Sequence, residues 1–205
     1  MRKTICFFFI FQLCLTQMFE RTLTGYGYAI KEDPLISAFK AIIFHGRNSD
    51  WQKVGDEIQS ITDRINDIYT AFNIDLLPQI KQSILQRDFQ GLTNKMANLV
   101  FHAIREKFHY NAQEKLKIFI RAKVRLRLAE EYYTTLLAGN VKCYDIRHKT
   151  AIHEKIYHSF VLARNTLGSR GFFGSGAIEP DVNEFEELTN EIESLLLQVF
   201  PYFEK

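Results

Sequence analysis

Apolar residues recur along this chain at the three- and four-residue steps of one helix face, and most of the sequence can be read from that rhythm. From Val54 the series Val54, Ile58, Ile61, Ile65, Ile68, Phe72 steps by 4, 3, 4, 3, 4. Asp33-Pro34 precedes it, a capping acid followed by proline at the first helical position, with Leu35, Phe39, Ile42 and Ile43 behind on one face. Leu77, Ile80 and Ile84 after Pro78 form a short helix, and Leu92, Met96, Leu99 and Ala103 begin a long one that runs toward Asn111. At the other end Pro180 and Asp181 open a helix, Phe185, Leu188, Ile192, Leu195 and Val199 supply its stripe, and Pro201 closes it.

Residues 117–128 admit two readings. Apolar and basic residues alternate from Ile120 onward, as in a half-buried strand. Over a longer window Ala112, Leu116, Phe119, Ala122, Leu126, Ala129, Tyr133 and Leu136 keep the helical step, and the flanks are rich in Ala, Leu, Glu and Lys. The longer periodicity predicts a helix that ends at Ala138-Gly139, where glycine can adopt the left-handed closing conformation. No repeat with matching positions emerges. The expected fold is all-α, an antiparallel helical bundle of six or seven helices.

The first residues follow a different grammar. Two positive charges within Met1–Thr4 precede an 11-residue run, Ile5–Leu15, that only Gln12 interrupts, and Gly27-Tyr28-Ala29 places small residues at −3 and −1 of a cleavage site. This is the pattern of a secretory signal peptide over 1–29, leaving 30–205 as a single helical-bundle domain. A membrane span needs about 20 apolar residues, so the run is too short to be one. Phe11-Gln12-Leu13 before Cys14 lacks the small residue of a lipid-attachment site. The expectation is a soluble, exported protein, periplasmic or secreted, with no transmembrane span in the mature chain.

Export changes the arithmetic of the whole. The 205 residues are 46% hydrophobic and 24% charged, enough for a real core, with a formal charge of +2. Cleavage removes Arg2, Lys3, Arg21 and Glu20 and leaves 23 basic and 23 acidic side chains. That balance argues against nucleic-acid binding, which needs a net basic footprint. Cys6 and Cys14 leave as well, so Cys143 stands alone and can form no intramolecular disulfide.

Neutrality on average conceals an ordered distribution. Between Arg105 and Arg127 there are eight Lys or Arg against two Glu, while every charge from Glu179 to Glu204 is acidic. The simplest arrangement docks the acidic terminal helix beside the basic stretch; the alternative leaves both faces for partners.

Histidines and carboxylates carry the chemical content. His102, Glu106 and His109 are spaced by 4 and 3, and Glu106 falls beside the Leu99–Ala103 seam. A buried carboxylate needs a cation, a basic partner or a proton. Glu130 lies beside the Leu126–Tyr133 seam in the same manner. With Glu106 and His109 forming a Glu-x-x-His, these are part of a carboxylate-bridged dinuclear set, but its second Glu-x-x-His is missing. A mononuclear site of His102, Glu106 and His109, joined by Glu130 or His153, would suit a transition metal ion: iron, zinc or copper. The competing arrangement pairs Glu106 with Lys123 or an arginine.

Catalytic signatures are weak. No Gly-x-Ser-x-Gly elbow occurs, and His153-Glu154 is followed by His158 one residue too late for His-Glu-x-x-His. Gly168–Gly176 is glycine-rich but lacks the Gly-Lys-Ser/Thr of a phosphate loop. Its Phe172 and Phe173 would either plug the end of the bundle or dock a partner, with Arg170 beside them. Two functions are consistent with these residues: a binding protein that handles a metal ion or metal-bearing ligand in the cell envelope, or a non-catalytic module that binds a cell-envelope protein partner through charged helix faces and the Phe172-Phe173 loop.

Overall fold

A computed structural model describes residues 32–169, 171 and 176–203. The chain divides into two units, Met1–Glu32 and Asp33–Lys205, and the helices belong to the second. The signal-peptide segment 1–29, Arg170 and the Phe172-Phe173 pair lie outside the described residues.

The second unit is all-helical. Its elements are α1 (Pro34–Arg47), α2 (Trp51–Ser60), α3 (Thr62–Phe72), α4 (Leu77–Leu85), α5 (Phe89–Gln113), α6 (Phe119–Tyr132), a π-helical turn (Tyr133–Leu137), α7 (Ala138–His148), α8 (Ile152–Asn165) and α9 (Val182–Val199). Aspartates start four of them. Asp33, Asp50, Asp88 and Asp181 each accept a hydrogen bond from a backbone N–H in the first turn of α1, α2, α5 and α9, the best use of a short acidic side chain at a helix start. Asp145, at the end of α7, caps the next helix from outside by accepting from the Ile152 and His153 amides at 2.8 Å each.

The long seam from Val54 to Phe72 is divided. Ile61 breaks it into α2 and α3, yet Ile61 is itself buried, so the apolar stripe continues across the break. Counting Phe119–His148 as one helical path, the described residues form eight helical segments rather than six or seven.

The ambiguous stretch is helical from Phe119, but the seam from Ala112 is not one helix: residues 114–118 turn between α5 and α6, with Lys115 and Leu116 at φ +51° and +53°, and at its other end the helical path does not stop at Gly139. Leu137, Ala138 and Val141 are buried and carry the seam onward, while Gly139 faces open space where no Cβ would meet a neighbour. Tyr132 at the end of α6 and Tyr133 at the start of the π turn are both in the core, with Leu137 buried and Leu136 partly buried against the same core.

The centre of the unit is α5. Every residue from Met96 to Ile104 is buried, so this helix is enclosed on all sides rather than laid on a surface. The segments α1, α3, α4, α6, the π turn and α9 pack against it. The acidic α9 packs mainly on α8 and α5 and does not lie along the basic α6, so the expected charge-matched docking of these two helices is not the arrangement found. Among the described residues one ion pair links the acidic helix to the start of the basic stretch, Arg105 Nε to Glu193 at 3.0 Å. Between α8 and α9 the glycine-rich segment is closed at its base by an antiparallel bridge of Ser169 with Ile178. Gly168 has φ +71°, and a Cβ there would stand 2.3 Å from the Ile178 carbonyl oxygen, so glycine is required.

Candidate functional site

An enclosed helix should be apolar, but α5 buries Asn98, His102 and Glu106 one turn apart at 1%, 0% and 4% exposure. Each must be accounted for. Glu106 is answered by Arg64 of α3, which donates Nη1 to Oε1 at 2.7 Å and Nη2 to Oε2, and by Lys107 Nζ at 2.8 Å. Burial pushes the Glu106 carboxyl up, but the hydrogen bonds from Arg64 and Lys107 outweigh it and hold the group below the usual carboxylate range. Both oxygens are engaged by cations.

His102 is held differently. Arg105 lies over the Phe72 and Phe101 rings, 4.9 and 5.6 Å from their centroids, reaches Glu193, and places Nη1 3.3 Å from His102 Nδ1. A guanidinium can only donate, so Nδ1 accepts and neutral His102 carries its proton on Nε2. That N–H has no protein partner among the described residues, and neither do the Asn98 amide nitrogen and oxygen. Burial, reinforced by Arg105, pulls the imidazole pKa down to about 4, so it is neutral near pH 7.

The remaining candidate ligands are distributed among other neighbours. His109 turns to solvent, with its ring against Phe72 and Tyr110. Glu130 accepts from Arg164 Nη2 through both carboxylate oxygens, at 2.9 and 2.7 Å. His153 Nδ1 is hydrogen-bonded to the Tyr133 hydroxyl at 2.7 Å, and burial lowers the pKa of this imidazole. Among the described residues no three His, Cys, Asp or Glu side chains converge as a metal centre needs. An arginine partner for Glu106, the alternative to a metal, is the arrangement found; the arginine is Arg64, from a helix whose sequence gives no sign of the pairing.

The outward charge of α6 is basic: Arg121, Lys123 and Arg127 are exposed. Arg121 and Arg125 are both satisfied by Glu114 at 3.1 and 2.9 Å. Ile120 and Val124, one turn apart, stand 58% and 51% exposed, with Ile118 beside them, in the company of Lys117, Arg121, Lys123 and Arg127. On the flank toward α8, Lys123, Leu126, Arg127 and Glu130 follow one another at i, i+3, i+4 and i+7 and, with Arg164, line an open cavity of about 320 Å³. The basic stretch and Glu130 stand out in the sequence, but Arg164 does not, being 34 residues from Glu130 and part of no motif.

No helix among the described residues is long and apolar enough to cross a membrane. Compared with protein-family models, with curated proteins and with solved structures, the chain matches none.

Proposed function

We propose that this protein is a non-catalytic interaction module of the cell envelope that docks an acidic protein partner on the outer face of α6. One observation carries the reading: Ile120 and Val124 are exposed side by side inside a surround of like charge. Scattered surface apolar residues need no explanation. Two on adjacent turns, flanked by Lys117, Lys123 and Arg127, form a small apolar centre with a basic rim, which suits a partner of opposite charge. Such a rim speeds encounter and selects against basic surfaces, while the apolar centre slows release.

Export, supported by the N-terminal pattern of Met1–Ala29, assigns this docking to the envelope, and Phe172-Phe173 is a second contact of the same reading. The test is co-purification from envelope fractions, with partners identified by mass spectrometry. Ile120→Ser/Val124→Ser should keep its fold and lose the partner, and Phe172→Ser/Phe173→Ser should weaken it. Retention of every partner by both variants overturns the proposal.

The metal reading makes a separate demand. A metal ion at Glu106 would have to displace Arg64 and Lys107, and one at His102 would have to take the proton from Nε2. Its test is metal content of untagged protein and thermal stability with iron, zinc or copper, wild type beside Glu106→Ala and His109→Ala. Equal metal content and equal response in the three proteins would remove it.

A further inference from the structure

The cavity between α6 and α8 shares Lys123 and Arg127 with the rim of the docking face and adds Glu130 and Arg164, which the docking reading does not use. Its α6 wall is the stripe Lys123, Leu126, Arg127, Glu130, and Arg164 of α8 closes it from the other side. Leu126, 1% exposed, forms an apolar floor. Three cations and one carboxylate give the lining a net charge of +2.

How the cations are distributed decides what the lining can do. Glu130 takes only Nη2 of Arg164, leaving Nε and Nη1 without a hydrogen-bond partner among the described residues. Lys123 and Arg127 form no ion pair among the described residues; the Lys123 ammonium lies 5.9 Å from the centroid of the Phe119 ring. Elsewhere on the same helix cations are neutralised, as Arg121 and Arg125 are by Glu114. The flank facing α8 therefore keeps donors on two sides of a recess in which Glu130 is the one anion of the lining.

We propose that this groove binds a phosphate monoester dianion, free or carried on a lipid headgroup. A dianion balances the +2 lining where a single carboxylate would leave half of it uncompensated. Guanidinium donors match phosphate oxygens in pairs, and the lysine adds a mobile point charge. The Leu126 floor receives the carbon next to the ester oxygen. At about 320 Å³ the groove is at the lower end of small-ligand sites, which run from about 300 to 1,000 Å³, so it accommodates a phosphate with a short organic group. Glu130 sets the net charge of the lining, so that a dianion is favoured over a more highly charged ligand.

The experiment titrates the full chain with glycerol phosphate and with inorganic phosphate by calorimetry, and separately measures sedimentation with phosphatidylcholine vesicles with and without phosphatidic acid. Lys123→Gln/Arg127→Gln should lose at least about tenfold in affinity, while Arg121→Gln, a cation of the same helix outside the groove, should lose less than about twofold. Glu130→Gln should tighten binding, because it removes the one negative charge. Affinity should fall below pH about 6, where a phosphate monoester dianion takes up one proton and becomes a monoanion. Soluble phosphate binding assigns the free ligand; binding only to phosphatidic acid vesicles assigns the headgroup. Equal losses in Arg121→Gln and Lys123→Gln/Arg127→Gln, weaker binding in Glu130→Gln, or no binding to either probe overturns the proposal. Ile120→Ser/Val124→Ser should bind phosphate as wild type does, so failure here and failure of the docking reading are told apart.

Discussion

Arg64 on α3 and Glu106 on α5, 42 residues apart in sequence, meet in a two-point guanidinium–carboxylate pair at the edge of the core. Their side chains are 19% and 5% exposed, so the pair is largely out of water, and its value depends on both members being present. Removing one partner of such a pair leaves the other charge stranded, a loss of about 3 kcal/mol or more, whereas removing both together is far milder.

Arg64→Met should accordingly destabilise by about 2–3 kcal/mol, below the usual figure because Lys107 still reaches Glu106. Glu106→Leu should cost a similar amount by burying Arg64 without its anion. The double variant should be closer to wild type than the two losses added together, as read by urea unfolding. Additive losses would show that the pair is not coupled.

Acid should weaken the fold in two windows. For His102 the folded pKa is about 4 and the unfolded one 6.5, so the unfolded chain binds the extra proton first. Its contribution is complete above pH about 6.5 and is lost as pH falls toward 4, at most about 3 kcal/mol. Glu106, lowered from 4.5, adds its loss below that value. Glu193 works in the opposite direction, since burial outweighs Arg105 and raises its carboxyl, so its contribution is lost as pH rises through the raised value. His102→Gln keeps an acceptor for Arg105 without the titration. It should flatten the stability profile between pH 6.5 and 4, and an unchanged slope there would assign the acid sensitivity to other groups.

What the sequence discloses and what it withholds divide along a physical line. Helix existence and the caps at Asp33 and Asp181 are local properties, written in neighbouring residues, and they match the structure. The inward position of Glu106 is also legible, because it follows from periodicity alone. Its partner is not, since Arg64 looks like any arginine on an amphipathic helix until α3 is placed against α5. Gly139 misleads for a related reason. A glycine can end a helix, but whether it does depends on what the next turn can bury, and here Leu137, Ala138 and Val141 continue inward. The same limit hides Arg164, whose meeting with Glu130 exists only once α6 and α8 lie side by side.

Asp145 offers a cleaner test of a single side chain. It accepts from Thr150 Oγ1 at 2.6 Å as well as from the Ile152 and His153 amides, and these hydrogen bonds hold its carboxyl below the ordinary range against the opposing effect of burial. Asp145→Ala should cost about 1–2 kcal/mol, the range for losing a helix cap. Hydrogen exchange should quicken first at the amides of Ile152 and His153. Asp145→Asn, which keeps an acceptor oxygen, should recover part of the protection.

Tyr132, the last residue of α6, and Tyr133, the first of the π turn, join three parts of the unit. Adjacent residues of a helix point about 100° apart, so the two rings leave the backbone in different directions. Here both are buried and bond in different directions, Tyr132 donating to Asp33 Oδ1 at 3.0 Å and Tyr133 meeting His153 at 2.7 Å. Asp33 also caps α1, so the Tyr132 contact ties the first helix of the unit to the end of α6. Tyr132→Phe and Tyr133→Phe keep the ring packing and delete only the hydroxyls, so each should cost about 1 kcal/mol. Their losses should add, because the two bonds share no partner. Asp33→Ala, by contrast, removes the cap and the tyrosine acceptor together and should cost more than Tyr132→Phe. Combining the two should cost no more than Asp33→Ala plus a few tenths of a kcal/mol, since the acceptor is already gone. Full additivity of Asp33→Ala with Tyr132→Phe would show that the hydroxyl contributes through something other than Asp33.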